Sequence, residues 1–137
     1  MSHPNRDRNR LAALMLGSGV LHLVAPGVYE RVVPRWLGDR RRVVLASGVA
    51  ELACGGLLLG RRTSRLGAWL TAGLLVAVFP ANVQMALDAG TEHQVVDMPA
   101  GRFRAVALAR LPLQVPLVVR AVRLARRRPP ARPAGPA

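Results

Sequence analysis

Four long apolar stretches separated by arginine clusters organise this chain. They run from Leu11 to Val28, from Val43 to Gly60, from about Leu66 to Leu87 and from about Ala105 to Ala125. None alternates with period two and each is long enough for a helix, so the pattern predicts four helices and no barrel strands. At about 1.5 Å per residue the first stretch covers roughly 27 Å, just enough to cross the hydrocarbon of a bilayer. A basic start precedes it, as in a signal peptide, but Ala25-Pro26-Gly27 is a poor small-x-small cleavage site. The stretch therefore reads as a retained span. Between the first two stretches, Tyr29 to Arg42 carries Tyr29, Val32, Val33 and Trp36 with the turn formers Pro34 and Gly38. This reads as a short segment lying at the interface, with its aromatics at headgroup level and Trp69 anchoring the opposite side. The expected fold is an all-α membrane protein, a four-transmembrane-helix bundle with a short interfacial segment between helices 1 and 2. Residues 1–10 form a basic N-terminus, 11–125 the membrane domain and 126–137 an Arg- and Pro-rich tail expected to be disordered.

Charge sharpens this picture. Hydrophobic residues make up 51% of the 137-residue chain, yet its formal net charge is +13, and every basic residue is Arg. Exclusive use of Arg, with abundant Ala, Gly and Pro, suggests a GC-rich bacterial genome. So basic a chain could bind nucleic acid, but that needs arginines gathered on one face with stacking aromatics. Aromatics are only 4% and the arginines flank apolar stretches, so no nucleic-acid partner is expected. The N-terminus, the loop holding Arg61, Arg62 and Arg65, and the tail from Arg123 together hold more arginines than the other two loops. That bias predicts a multi-pass protein of the cell membrane with both termini cytoplasmic.

Every stretch also carries polar side chains that lipid would not tolerate. They are Ser18 and His22 in the first, Ser47 and Glu51 in the second, Asn82 and Gln84 in the third, and Arg110, Gln114 and Arg120 in the fourth. A charge at the bilayer centre costs about 2.5–3.5 kcal/mol on insertion scales. Glu51 and Arg110 are therefore expected to face the bundle interior as partners, while Arg120 snorkels to the basic end. Because successive helices alternate in direction, His22, Glu51, Asn82 and Arg110 fall in the same half of the membrane. Ser18 and His22, Ser47 and Glu51, and Arg110 and Gln114 are i,i+4 pairs, so each pair shares a helix face. Pro80, Pro112 and Pro116 are expected to bend their helices near Asn82 and Gln114.

The candidate site is thus His22, Glu51, Asn82, Arg110 and Gln114, supported by Ser18, Ser47 and Gln84. Two readings of it stand side by side. Such residues can be polar glue between helices, packed closely through Gly17, Gly48, Gly55 and the Gly56-x-x-x-Gly60 spacing. They can equally line a site for a ligand or quinone. A metal is not expected, because the chain has one cysteine, Cys54, and no close histidine pair. Cys54 can form no internal disulfide and reads as a small buried residue. His93, between Glu92 and Gln94, reads as solvated.

The motifs resemble those of one family. Gly19-Val20-Leu21-His22 with Pro26, Tyr29, Val33-Pro34 and Leu37 looks like the first helix and loop of DoxX-like membrane proteins. Ser47-Gly48-Val49-Ala50-Glu51-Leu52 followed by Gly55 or Gly56 resembles their second-helix signature, and Val76 to Ala86 and Arg110 to Gln114 resemble the third and fourth. The resemblance extends over most of residues 11–125. It implies a four-helix membrane bundle with Glu51, Asn82, Arg110 and Gln114 at signature positions. It also implies a membrane subunit or accessory of a redox assembly, linked to quinone or sulfur chemistry, rather than an enzyme on its own. Some relatives in that family are membrane subunits of thiosulfate:quinone oxidoreductase, but this chain lacks the cysteine pair of dithiol-type members. The implied cofactor is a quinone, and the residues themselves require none. The expected partners are the lipid bilayer and a membrane or cytoplasmic redox protein, with a second copy of the chain as a further option. A non-catalytic anchor or assembly protein with a structural Glu–Arg pair is the alternative.

Overall fold

The structure, a computed structural model, describes residues 4–31, 33–88 and 99–127. Among them the fold is all-helical: α1 (Pro4–Val24), α2 (Pro26–Glu30), a 3₁₀ turn (Arg35–Leu37), α3 (Arg40–Leu59), α4 (Ser64–Asp88) and α5 (Ala100–Arg126). Two of these, α3 and α4, are long and apolar enough to cross a membrane. His93 and the tail beyond Arg127 lie outside the described residues.

Local chemistry sets the boundaries. The first stretch, expected to be one helix to Val28, divides at Ala25. Pro26 disfavours helical backbone in the residue before it, and Ala25 adopts φ −127°, ψ 53°. Pro26 then opens the short α2, where a missing N–H costs nothing. At its other end α1 begins at Pro4, so most of the basic N-terminus is helical. Gly38, at φ 76°, turns the chain into α3. Asp39 caps that helix, its side chain accepting from the Arg42 amide at 3.2 Å. At the far end the Thr63 hydroxyl donates to the Leu57 carbonyl at 2.8 Å, satisfying one of the acceptors a helix end leaves open. Pro80 lies inside α4, and Pro112 and Pro116 inside α5, without ending either helix.

Helix α1 packs on α3, α3 on α4 and α4 on α5, while α1 and α5 touch more lightly. The four long helices therefore form a ring in which α3 and α5 are diagonal. The closest approach is between α1 and α3. A Cβ on Gly19 would lie 2.8 Å from the Gly48 carbonyl oxygen, and one on Gly48 would lie 2.9 Å from the His22 Cβ. Gly55 meets Leu16 in the same seam, and Gly67 lets α4 approach the backbone of α3 at Leu57 and Leu58. Of the glycines expected to admit close packing, Gly48 and Gly55 do so. Gly17 and Gly56 do not, since a Cβ on either would meet nothing within 4 Å.

The buried core is built mostly of small or slender side chains, with Ala12, Ala68, Ala72, Ala107, Ala121 and Ala125 all at or below 5% exposure. Large apolar side chains instead point outward from every long helix, among them Val20, Val49, Val76 and Val119.

Candidate functional site

The polar residues converge on a cavity of about 620 Å³ lined by all four long helices, by Tyr29 of α2 and by Val33 and Leu37 after it. Its polar lining includes His22, Glu51, Asn82, Arg110 and Gln114, with Ser18 and Ser47 beside them. The residues that the i,i+4 spacings placed on shared helix faces therefore line one cavity. Gln84 does not join it. Its amide turns along α4 to Asp88, donating to that carboxylate at 2.9 Å.

The expected Glu51–Arg110 ion pair is replaced by another. Glu51 pairs with His22, whose Nδ1 lies 3.3 Å from Oε2. No ion pair joins Glu51 to Arg110 among the described residues, and Arg110 is exposed. The reason is the ring order. Glu51 on α3 and Arg110 on α5 face the cavity from diagonal helices, whereas the Gly19–Gly48 contact presses α1 against α3 and brings His22 alongside Glu51.

Hydrogen bonding at His22 leaves Glu51 incompletely satisfied. His22 Nδ1 lies 2.8 Å from the Ser18 carbonyl oxygen, which can only accept, so Nδ1 carries the proton and donates there. One N–H cannot point at both oxygens. Glu51 Oε2 is accordingly buried with no hydrogen bond, in a residue only 8% exposed. An unsatisfied buried acceptor costs about 1–3 kcal/mol, more when charged, and needs an explanation wherever it is kept. Tyr29 stacks on the His22 ring, with centroids 3.9 Å apart and planes inclined by 25°. The ring is thereby held from the α2 side as well.

A second polar unit joins α4 to α5. The Asn82 amide donates to Gln114 Oε1 at 2.8 Å, and the Gln114 amide donates to the Leu75 carbonyl. Replacing Gln114 by leucine should cost about 1–2 kcal/mol by stranding the Asn82 amide and removing the side-chain tie from α5 to the Leu75 carbonyl. Asn82→Ala should cost less, and the double variant less than the sum of the two. Unfolding in detergent micelles measures all three, and strictly additive losses would show that the two side chains do not act together.

An all-helical bundle with a polar cavity, one buried carboxylate and a histidine against it is thus the class of protein that fold and site define. The chain belongs to the family described as a domain of unknown function (DUF8561), whose family model matches residues 11–125. No curated protein and no solved structure matches it.

Proposed function

We propose that this protein is a DoxX-like, four-span protein of the bacterial cell membrane whose cavity binds a small ligand. In this reading it serves as a membrane subunit or accessory of a quinone- or sulfur-linked redox assembly. The observation that carries the ligand reading is the Glu51 carboxylate, buried in the cavity wall with one oxygen unpartnered. A cavity of about 620 Å³ with a few convergent polar groups is of the size that takes a small organic molecule. A quinol head group could donate a hydroxyl to Glu51 and accept from Arg110 across the cavity. The Asn82–Gln114 bonds, by contrast, are sufficiently explained as glue between α4 and α5.

Four spans are supported by the distribution of apolar surface. Besides α3 and α4, helices α1 and α5 also expose large aliphatic side chains away from the cavity, including Val20, Val24, Leu108 and Val115. A water-soluble bundle buries such groups, whereas a membrane bundle turns them to lipid and packs small residues inside. Arg110 and Arg120 disrupt the apolar length of α5, but one faces the cavity and the other lies within reach of the basic end. Cytoplasmic termini follow from the arginine bias, and a C-terminal reporter active only outside the cell would overturn that orientation.

The ligand reading is tested by titrating the full chain in lipid nanodiscs with a radiolabelled prenylated hydroquinone. Saturable binding at one molecule per chain is expected, and uptake no greater than by empty discs would end the reading. The redox role has its own test. Membranes with and without the protein should differ in quinone reduction from thiosulfate or sulfite, and equal rates would remove that assignment while leaving binding intact.

A further inference from the structure

The ring of helices is not equally closed on all sides. Leu11, Ala12 and Met15 on α1 share one buried cluster with Ala121 and Ala125 on α5, so these two helices come together toward the first half of α1 and the last turns of α5. The cavity begins beside that cluster, at Met15, and extends toward the other end; α1 lines it with Leu14, Gly17 and Leu21 and α5 with Arg110 and Leu113. All five line the cavity and all five are exposed. In each helix they recur at spacings of three or four, so they form two facing lips rather than scattered surface positions. Ser18 and His22 sit behind the α1 lip and Gln114 behind the α5 lip, all more buried than the lips themselves.

Gly17 is the informative residue in this slit. Glycine in a helix interior is less stable than alanine, and at Gly19, Gly48 and Gly55 a neighbouring chain segment accounts for it. At Gly17, as at Gly56 and Gly73, nothing does, since a Cβ there would meet no atom within 4 Å, but of these three only Gly17 lines the cavity. What a larger side chain at Gly17 would take up is space in the lip of the cavity.

We propose that the slit between α1 and α5 is a lateral entrance, and that the ligand is an amphipathic molecule dissolved in the bilayer. Its head carries an O–H donor for Glu51 Oε2, and its hydrocarbon tail leaves over Gly17 between Leu21 and Leu113. This rests on the ligand reading of the cavity and adds the route and the chemical class. A prenylated hydroquinone and a diacylglycerol share this chemistry.

The test uses the full chain in nanodiscs with three probes: a hydroquinone bearing a diazirine in its isoprenoid tail, a diacylglycerol with a diazirine in one acyl chain, and a tailless radiolabelled hydroquinone. The expected result is light-dependent labelling at the lips of α1 and α5 by one of the tailed probes, which identifies the head. Gly17→Leu should lower that labelling about tenfold or more by occupying the tail's path, while tailless hydroquinone binds as before. Gly17→Ala should melt at or slightly above the wild type, and Gly17→Leu no lower than the wild type, which keeps a folding defect separate from a blocked entrance. Labelling confined to the outer faces of α3 and α4, or unaffected by Gly17→Leu, overturns the lateral entrance while the tailless probe still reports the site. A chain-to-chain cross-link through the slit in place of lipid labelling makes it a dimer face and likewise overturns the proposal. No binding by any of the three probes overturns the site and the entrance together.

Discussion

Gly19→Leu is expected to destabilise the bundle by about 3 kcal/mol or more. The neighbours a side chain there would meet are not free to move. They include the Gly48 carbonyl oxygen at 2.8 Å and the Leu52 amide nitrogen at 3.0 Å, both backbone atoms of α3. Rotation of a neighbouring side chain cannot relieve such a clash, so α1 would have to move off α3. The displacement would also carry His22 away from Glu51, because His22 lies one turn from Gly19 on α1 and its Cβ faces Gly48. The comparison is Gly56→Leu on the same helix pair, where a Cβ meets nothing within 4 Å and the change should stay within about 0.5 kcal/mol. Thermal and denaturant unfolding of both variants in detergent micelles measures the difference. If Gly19→Leu melts with the wild type, the α1–α3 crossing is not where the structure places it.

This contrast also shows what could and could not be read from the sequence. Apolar runs bounded by arginine and glycine located α3 and α4 to within a few residues, since the end of hydrophobic patterning and the helix cap coincide there. The first run did not end with its hydrophobicity. Pro26 broke the helix two residues before Val28, by a steric effect on Ala25 that hydropathy does not register. The cavity residues were found because depth and i,i+4 spacing are one-dimensional properties. The partner of Glu51 was missed because pairing depends on which helices are neighbours, and depth placed His22 and Arg110 equally well. Only the Gly19–Gly48 contact decides between them, and Gly17, Gly19, Gly48 and Gly56 look alike in sequence although two of the four face a neighbouring helix. The stacking of Tyr29 on His22 is illegible for a related reason: it depends on the short α2 returning the chain onto α1.

Glu51→Gln is expected to abolish most ligand binding, by roughly 10- to 150-fold, while leaving the fold within about 1 kcal/mol of the wild type. The two halves of this expectation come from the same atom. Oε2 has no hydrogen bond in the folded chain, and His22 keeps its bond to the Ser18 carbonyl whether or not residue 51 is charged. Neutralising the carboxylate therefore removes a desolvation cost at the same time as it removes an ion pair, and the two nearly offset. A ligand hydroxyl donating to the carboxylate would lose a charge-assisted hydrogen bond, for which the substituted amide is a weaker acceptor. If the residue were only glue, stability would fall by about 3 kcal/mol or more and no ligand would be affected. Arg110 supplies the sharper control. As partners in direct contact, Glu51→Arg and Arg110→Glu would rescue one another when combined, with a coupling well above about 0.5 kcal/mol. Facing each other across the cavity from diagonal helices, they should instead add, and the double swap should bind no ligand. Nanodisc binding with a hydroquinone, set beside detergent unfolding of the same four variants, gives both readouts. Rescue of stability by the swap would restore the Glu51–Arg110 pair and remove the reason for assigning Glu51 to a ligand.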